Sequence, residues 1–165
     1  KIIGVISDTH LSYPENELKE LFKPGGIFEN IDILIHAGDF TSERIISYLS
    51  EKKRFKFFGV CGNMDRGNIR SRLPEKRTIS ISGHRIGITH GWGAPINLGK
   101  KIYHAFNDPE IDCIVFGHSH HPENQFLNKT LMFNPGAFKK DFYRTQKSIG
   151  KLFVSADKIR GEIIP

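Results

Sequence analysis

The sequence predicts an α/β fold in which two mixed sheets pack against one another. In the first part of the chain, apolar strand-like runs alternate with amphipathic segments in a β-α-β-α-β order, the pattern of a parallel sheet with right-handed crossovers. In the second part strands crowd together as hairpins with few helices between them. The length, 165 residues with 38% hydrophobic and 25% charged residues, suits one globular domain spanning 1–165.

Lys1–Ser7 reads as a buried strand, rich in Ile and Val, that ends in a polar loop at Asp8-Thr9-His10. Glu15–Phe22 has helical spacing and is stopped by Pro24-Gly25-Gly26. Asp32–His36 is a second strand, ending at Ala37-Gly38-Asp39. Thr41 or Ser42 can cap the helix that follows, which runs to about Lys52 with Ile45, Ile46 and Leu49 on one face. Phe55–Cys61 is a third strand, ending at Gly62-Asn63. Arg77–Ser82 and Arg85–Thr89 alternate apolar and polar residues around Gly83-His84, as a hairpin does. Leu98–Phe106 reads as a helix and Cys113–Phe116 as a buried strand. Gln125–Leu127 and Thr130–Phe133 flank a turn at Asn128-Lys129, and Ser148–Ser155 and Lys158–Ile163 flank Ala156-Asp157.

Composition narrows the function classes. No apolar run approaches the roughly 18 residues that a membrane span needs. The chain opens on a strand rather than a secretory signal, and Cys61 and Cys113 sit inside apolar runs, which points to free buried thiols and a cytoplasmic location. The net charge of +6 favours anionic partners in general. Its cations are spread out, the longest run being Lys52-Lys53-Arg54, so nucleic acid is a minor expectation. Oligomeric state stays open, a homo-oligomer included.

One regularity carries the chemistry. Strand after strand ends in a metal-ligand residue beside a small one: Asp8-Thr9-His10, Gly38-Asp39, Gly62-Asn63, His90-Gly91 and Gly117-His118-Ser119-His120. In α/β sheets ligands bind at the carboxyl ends of strands, so these loops can converge although they are far apart in sequence. Imidazole, carboxylate and amide oxygen together suit Mn²⁺, Fe²⁺, Zn²⁺, Ni²⁺ or Co²⁺ better than Ca²⁺. The set is too large for one tetrahedral ion but serves two if a carboxylate bridges. Asp8 and His10, two apart on an extended chain, would point the same way and chelate together.

These blocks, in this order, resemble the D-x-H, G-D, G-N-x-(D/E), H-G and G-H-x-H motifs of the calcineurin-like metallophosphoesterases. Asn134-Pro135-Gly136 is similar to a further turn of that family. The resemblance implies a four-layer α/β/β/α sandwich and a dinuclear-metal phosphoesterase, with a small phosphodiester as the expected substrate. It implies that Asp8, His10 and His120 hold one ion, that Asn63, His90 and His118 hold the other, and that Asp39 bridges them, with Mn²⁺ the first choice of metal. Asp39, Asn63 and His118 take the catalytic positions. Ions about 3.5–4 Å apart would supply a hydroxide nucleophile and clamp phosphoryl oxygens. Two carboxylates against two divalent ions leave positive charge for an anionic ester. A non-catalytic scaffold of the same fold and a nuclease are the rival readings.

One position departs from the family. Met64 stands where many members carry a histidine, and a thioether cannot transfer a proton. Help for the leaving group would then come from Asp65, His121, solvent or the substrate. Arg66 could reach a phosphate oxygen, since guanidinium matches that geometry. Trp92, directly after His90-Gly91, is a rim or pocket residue. His36 is expected in the core, His84 in a turn and His104 on a helix. The strand and helix phenylalanines, Phe126 among them, are assigned to the core. Phe22, Phe28, Phe40, Phe138 and Phe142 are candidates for an exposed contact surface.

Overall fold

The computed structural model describes residues 1–52, 54–140 and 146–165. Along the chain these form β1 (Ile2–Ile6), α1 (Asn16–Glu20), β2 (Ile33–His36), α2 (Glu43–Ser50), β3 (Lys56–Gly59), α3 (Asn68–Arg72), β4 (Lys76–Ile81), β5 (His84–Thr89), α4 (Leu98–Phe106), β6 (Cys113–Val115), β7 (Glu123–Leu127), β8 (Thr130–Asn134), β9 (Ile149–Val154) and β10 (Ile159–Ile164). The strands make two five-stranded sheets, ordered β10-β9-β1-β2-β3 and β4-β5-β6-β8-β7. Both are mixed. β1, β2 and β3 run parallel, as do β5, β6 and β8, while the β9–β10, β4–β5 and β7–β8 hairpins add antiparallel strands.

The alternation of side chains explains the layers. Ile3, Val5, Ile33 and Ile35 face inward and meet Ile86, Ile88, Val115 and Phe133 of the other sheet in one buried cluster. On the outer face of the first sheet, Ile6 and Leu34 pack under Leu18 of α1 and Ile45 and Leu49 of α2. On the outer face of the second, Ile114 and Met132 pack under Leu98, Ile102 and Phe106 of α4. The central strands are therefore buried on both faces, which is why they read as unbroken apolar runs. The result is the expected α/β/β/α sandwich. No helix among the described residues is long and apolar enough to cross a membrane.

Several local expectations change. Ser42, not Thr41, caps α2, its hydroxyl accepting from the Arg44 amide at 3.3 Å. The β4–β5 turn is Ser82-Gly83, both with positive φ, and His84 already pairs with Ile81. α3 has one buried apolar residue, Ile69, and too short a run to show a helical period in sequence. Phe22, Phe28, Phe40 and Phe138 are buried, because each fills the layer between the first sheet and its helices, so they form no contact surface. Phe126 is 64% exposed rather than in the core, since it lies on the outer strand β7. Phe142 and Lys53 lie outside the described residues.

Candidate metal centre

The parallel strands of both sheets deliver their carboxyl ends to one edge of the sandwich. Asp8 and His10 follow β1, Asp39 follows β2, Asn63 follows β3, His90 follows β5, and His118 and His120 follow β6. Backbone hydrogen bonds lace the loops: Asp8 N to Gly38 O at 3.0 Å, His10 N to Asp39 O at 3.2 Å, and Gly117 N to His90 O at 3.0 Å. Two glycines let the loops approach this closely. A Cβ on Gly117 would stand 1.9 Å from the Ser7 hydroxyl, and one on Gly62 would stand 2.1 Å from Asp39 Oδ1.

Asp8 and His10 do not chelate through an extended segment. Asp8, His10, Asp39, His118 and His120 all have positive φ, between 45° and 67°. Left-handed backbone is uncommon for residues with side chains and concentrates where function requires it. The expected pairing survives by a different geometry: His10 Nε2 lies 3.8 Å from Asp8 Oδ1.

Each of the two carboxylates is fixed by a second contact that leaves one oxygen facing inward. Asp8 Oδ2 accepts from Ser7 Oγ at 2.5 Å and from the His118 amide at 3.2 Å. That leaves Asp8 Oδ1 buried with no hydrogen-bond partner, 3.1 Å from His120 Nε2 and 3.8 Å from His90 Nε2. Asp39 Oδ1 accepts from the Met64 amide at 2.8 Å, and Asp39 Oδ2 faces His90 Nε2 at 3.4 Å and His10 Nε2 at 3.7 Å. Two ligand groups result, Asp8 with His10 and His120, and Asp8 with Asp39 and His90.

The three remaining atoms form a cluster of acceptors. His90 Nδ1 faces the Ala37 carbonyl at 2.7 Å and must donate there, so Nε2 of the neutral ring carries a lone pair. His118 Nε2 likewise donates to the Gly93 carbonyl at 2.7 Å, leaving Nδ1 bare. These two lone pairs face Asn63 Oδ1 at 3.0 and 2.9 Å. With His90 neutral, three donor atoms are turned on one another beside an orphaned buried carboxylate oxygen, an arrangement that fits a cation.

Electrostatics agrees. Burial works to raise the Asp8 carboxyl, but the adjoining imidazoles of His10, His120 and His90 outweigh it and hold the pKa below the usual carboxylate range. Burial also opposes ionisation of Asp39, and His90 overcomes it. For His90, burial pulls the pKa down and Asp39 and Asp8 push it above the usual histidine value. His36 is stacked on Phe40 beneath the site, with centroids 3.6 Å apart, and its ring nitrogen pairs with Thr9 Oγ1 at 3.1 Å. Burial holds it down at about 3, so it is neutral.

Of the residues expected to touch substrate, Asp65 is placed elsewhere. It is buried, and its carboxylate accepts from the amides of Gly62 (2.8 Å), Thr41 (2.8 Å) and Asp39 (3.0 Å). It ties the Asp39 loop to the Asn63 loop. Arg66 is exposed on the turn before α3, and His121 is exposed next to His120. Met64 is 48% exposed beside Asn63. Sequence reasoning missed Ser7 and took Asn134 only as a turn. Asn134 is buried, and its amide donates to Gly117 O at 2.9 Å and Ser119 Oγ at 3.1 Å, holding the histidine loop in place. The signal was present in Asn134-Pro135-Gly136, but its partner lay across the sheet edge.

Residues 2–157 match the profile of the calcineurin-like phosphoesterase superfamily domain. The chain is 36% identical to a probable metallophosphoesterase of Methanocaldococcus jannaschii, covering 99% of this chain and 81% of that protein. It is 26% identical to a phosphodiesterase of the same organism, covering 81% of this chain and 82% of the relative. The crystal structure of Chaetomium thermophilum Vps29 superposes with a TM-score of 0.74 at 18% identity, over 99% of this chain and 96% of that one, a likeness of fold alone.

Proposed function

Because the chain belongs to the calcineurin-like phosphoesterase superfamily, we propose that it hydrolyses small phosphodiesters with two divalent metal ions held at the sheet edge. The observation that carries this reading is the pair of adjoining ligand groups that share Asp8, with Asp39 Oδ2 lying between imidazoles of both. In the proposal Asp8, His10 and His120 hold one ion, Asn63, His90 and His118 hold the other, and Asp39 bridges. Mn²⁺ is the first choice, with Fe²⁺, Zn²⁺, Ni²⁺ and Co²⁺ able to use the same donors. Bound ions of this kind supply an activated water and a clamp for phosphoryl oxygens.

The chain's own contribution is orientation. Ala37 and Gly93 carbonyls fix the tautomers of His90 and His118, so each ring, when neutral, turns a lone pair to the site. Met64 offers no proton beside Asn63, and Asp65 is committed to backbone amides. A leaving group therefore departs with little help from these positions, which favours esters of acidic alcohols or phenols. The name of the Methanocaldococcus jannaschii phosphodiesterase supports a diester over a monoester. Two buried free cysteines accord with a reducing, cytoplasmic setting.

The test uses metal-stripped protein with bis(p-nitrophenyl) phosphate and p-nitrophenyl phosphate, titrated separately with Mn²⁺, Ni²⁺, Zn²⁺ and Mg²⁺. Metal-dependent turnover of the diester above the monoester, abolished in Asp39→Asn, is the expected result. Absence of turnover with every ion would favour the scaffold reading, and turnover of single-stranded DNA above the small diester would favour the nuclease.

A further inference from the structure

Beside Asn63 and His90 the sandwich edge opens into a cavity of about 480 Å³. Such a volume falls in the range of small-molecule sites, about 300–1,000 Å³. Trp92 forms one wall and is 47% exposed, so part of its ring is open to a ligand in the cavity. Phe106 of α4 and Lys76 of β4 form another. The Lys76 ammonium lies 3.9 Å from the Phe106 ring centroid and gives one of its three N–H groups to the Ala105 carbonyl at 3.1 Å. Arg70 is held by the Gly62 carbonyl at 3.1 Å and by the Glu75 carboxylate, so its charge is balanced within the wall.

We infer that this cavity binds one ester group of the substrate, and that the group is a flat heteroaromatic ring bearing carbonyl acceptors, as in a nucleoside. The inference rests on the phosphodiesterase reading for the position of the phosphorus beside Asn63 and His90. An ester group on that phosphorus reaches the cavity directly, since the same two residues line both. Trp92 offers a face for stacking, and every nucleobase has one. Lys76, exposed on the cavity wall, has N–H donors beyond the one given to Ala105, and these can reach a ring carbonyl where an alkyl chain offers no acceptor. The wall from Lys76 of β4 to Phe106 of α4 bounds a volume that suits a single ring system rather than a polymer.

The chain contains a single tryptophan, so Trp92 itself reports binding. The first experiment titrates the metal-loaded protein with thymidine 5′-monophosphate and, separately, with 2-deoxyribose 5-phosphate, following tryptophan emission. The expected result is saturable quenching by the nucleotide at concentrations roughly tenfold or more below those needed for the sugar phosphate. Lys76→Ala should weaken the nucleotide and leave the sugar phosphate unchanged. Equal responses to both probes, or no response to the nucleotide at millimolar levels, would overturn the inference whatever the enzyme hydrolyses.

The second experiment compares two diesters with the same p-nitrophenolate leaving group, thymidine 5′-(p-nitrophenyl phosphate) and ethyl p-nitrophenyl phosphate. The nucleoside ester should have the higher kcat/KM, through KM, and Trp92→Ala should bring the ratio toward one. Turnover of both esters without preference would refute the cavity assignment and leave the diesterase reading standing. Nucleotide-specific quenching with neither ester hydrolysed would do the reverse.

Discussion

Asp65 illustrates how a carboxylate at a reactive edge can act without touching substrate. Its Oδ2 accepts from the Gly62 and Asp39 amides and its Oδ1 from Thr41, so the side chain joins the loops that carry Asn63 and Asp39. Asp65→Asn replaces one acceptor with a donor that faces a backbone N–H. Metal affinity or kcat should fall by roughly 10–100-fold, as for other residues that orient metal ligands. Unchanged metal affinity and kcat, in a variant with wild-type circular dichroism, would contradict the role. His36 makes a different prediction. Its folded pKa is about 3 against 6.5 for the free side chain, so the unfolded chain binds the extra proton. Stability from this group is complete above pH 6.5 and is lost as pH falls from there toward 3. His36→Gln should flatten the pH dependence of the urea midpoint between pH 6.5 and 4.5, and an identical slope would contradict the prediction. The ligand residues were legible in sequence because each lies in a short polar loop with a small residue beside it, at the end of an apolar run. The inward turn of Asp65 was not, since Gly62-Asn63-Met64-Asp65 specifies residue types and no direction. Asn134 was visible only as a turn because its partners, Gly117 and Ser119, come from another loop.

At the scale of elements, glycines in β9 and β10 decide how the sheets meet. A Cβ on Gly150 would lie 2.5 Å from the Phe133 ring and one on Gly161 would lie 2.6 Å from it. Phe133 of β8 thus fills the space those missing side chains leave, and it is fully buried. Phe133→Ala should destabilise the fold by about 3–5 kcal/mol, measured by urea unfolding. A loss below 1 kcal/mol would mean that the sheets close over the gap. Strands such as β1 and β6 were legible because both their faces are buried, and the β4–β5 and β7–β8 hairpins because their turn residues accept positive φ. α3 was not, because five polar-rich residues with Ile69 alone buried carry no helical period. Phe126 was misplaced for a related reason: an apolar residue on a strand does not reveal whether that strand lies at the sheet edge.

For the whole molecule, topology converts distant sequence positions into one site. Parallel pairing of β1 with β2, of β2 with β3 and of β5 with β6 sends every ligand-bearing loop to the same edge. The two-sheet class followed from the order of helices and strands along the chain. The return of β9 to pair with β1, and of β8 to lie between β6 and β7, did not, because long-range strand order depends on packing that no local pattern encodes. The centre built this way draws Asp8 and His118 together across the sandwich, through the His118 amide and Asp8 Oδ2. Loading it must also displace protons. His90 holds its proton above the usual pH because of Asp39 and Asp8, so metal affinity should rise with pH through that raised pKa and level off above it. Calorimetry in buffers of differing ionisation enthalpy should show proton release on the acid side, and none at any pH would contradict it. The most direct test of the two-ion centre is to count the ions. Metal-stripped protein is dialysed against Mn²⁺ and the bound metal per chain is measured for wild type and Asn63→Ala, with diester turnover followed in parallel. Two ions in the wild type, with one retained and turnover lost in the variant, is the predicted result. One ion in the wild type, or full turnover with a single ion in Asn63→Ala, would contradict the account.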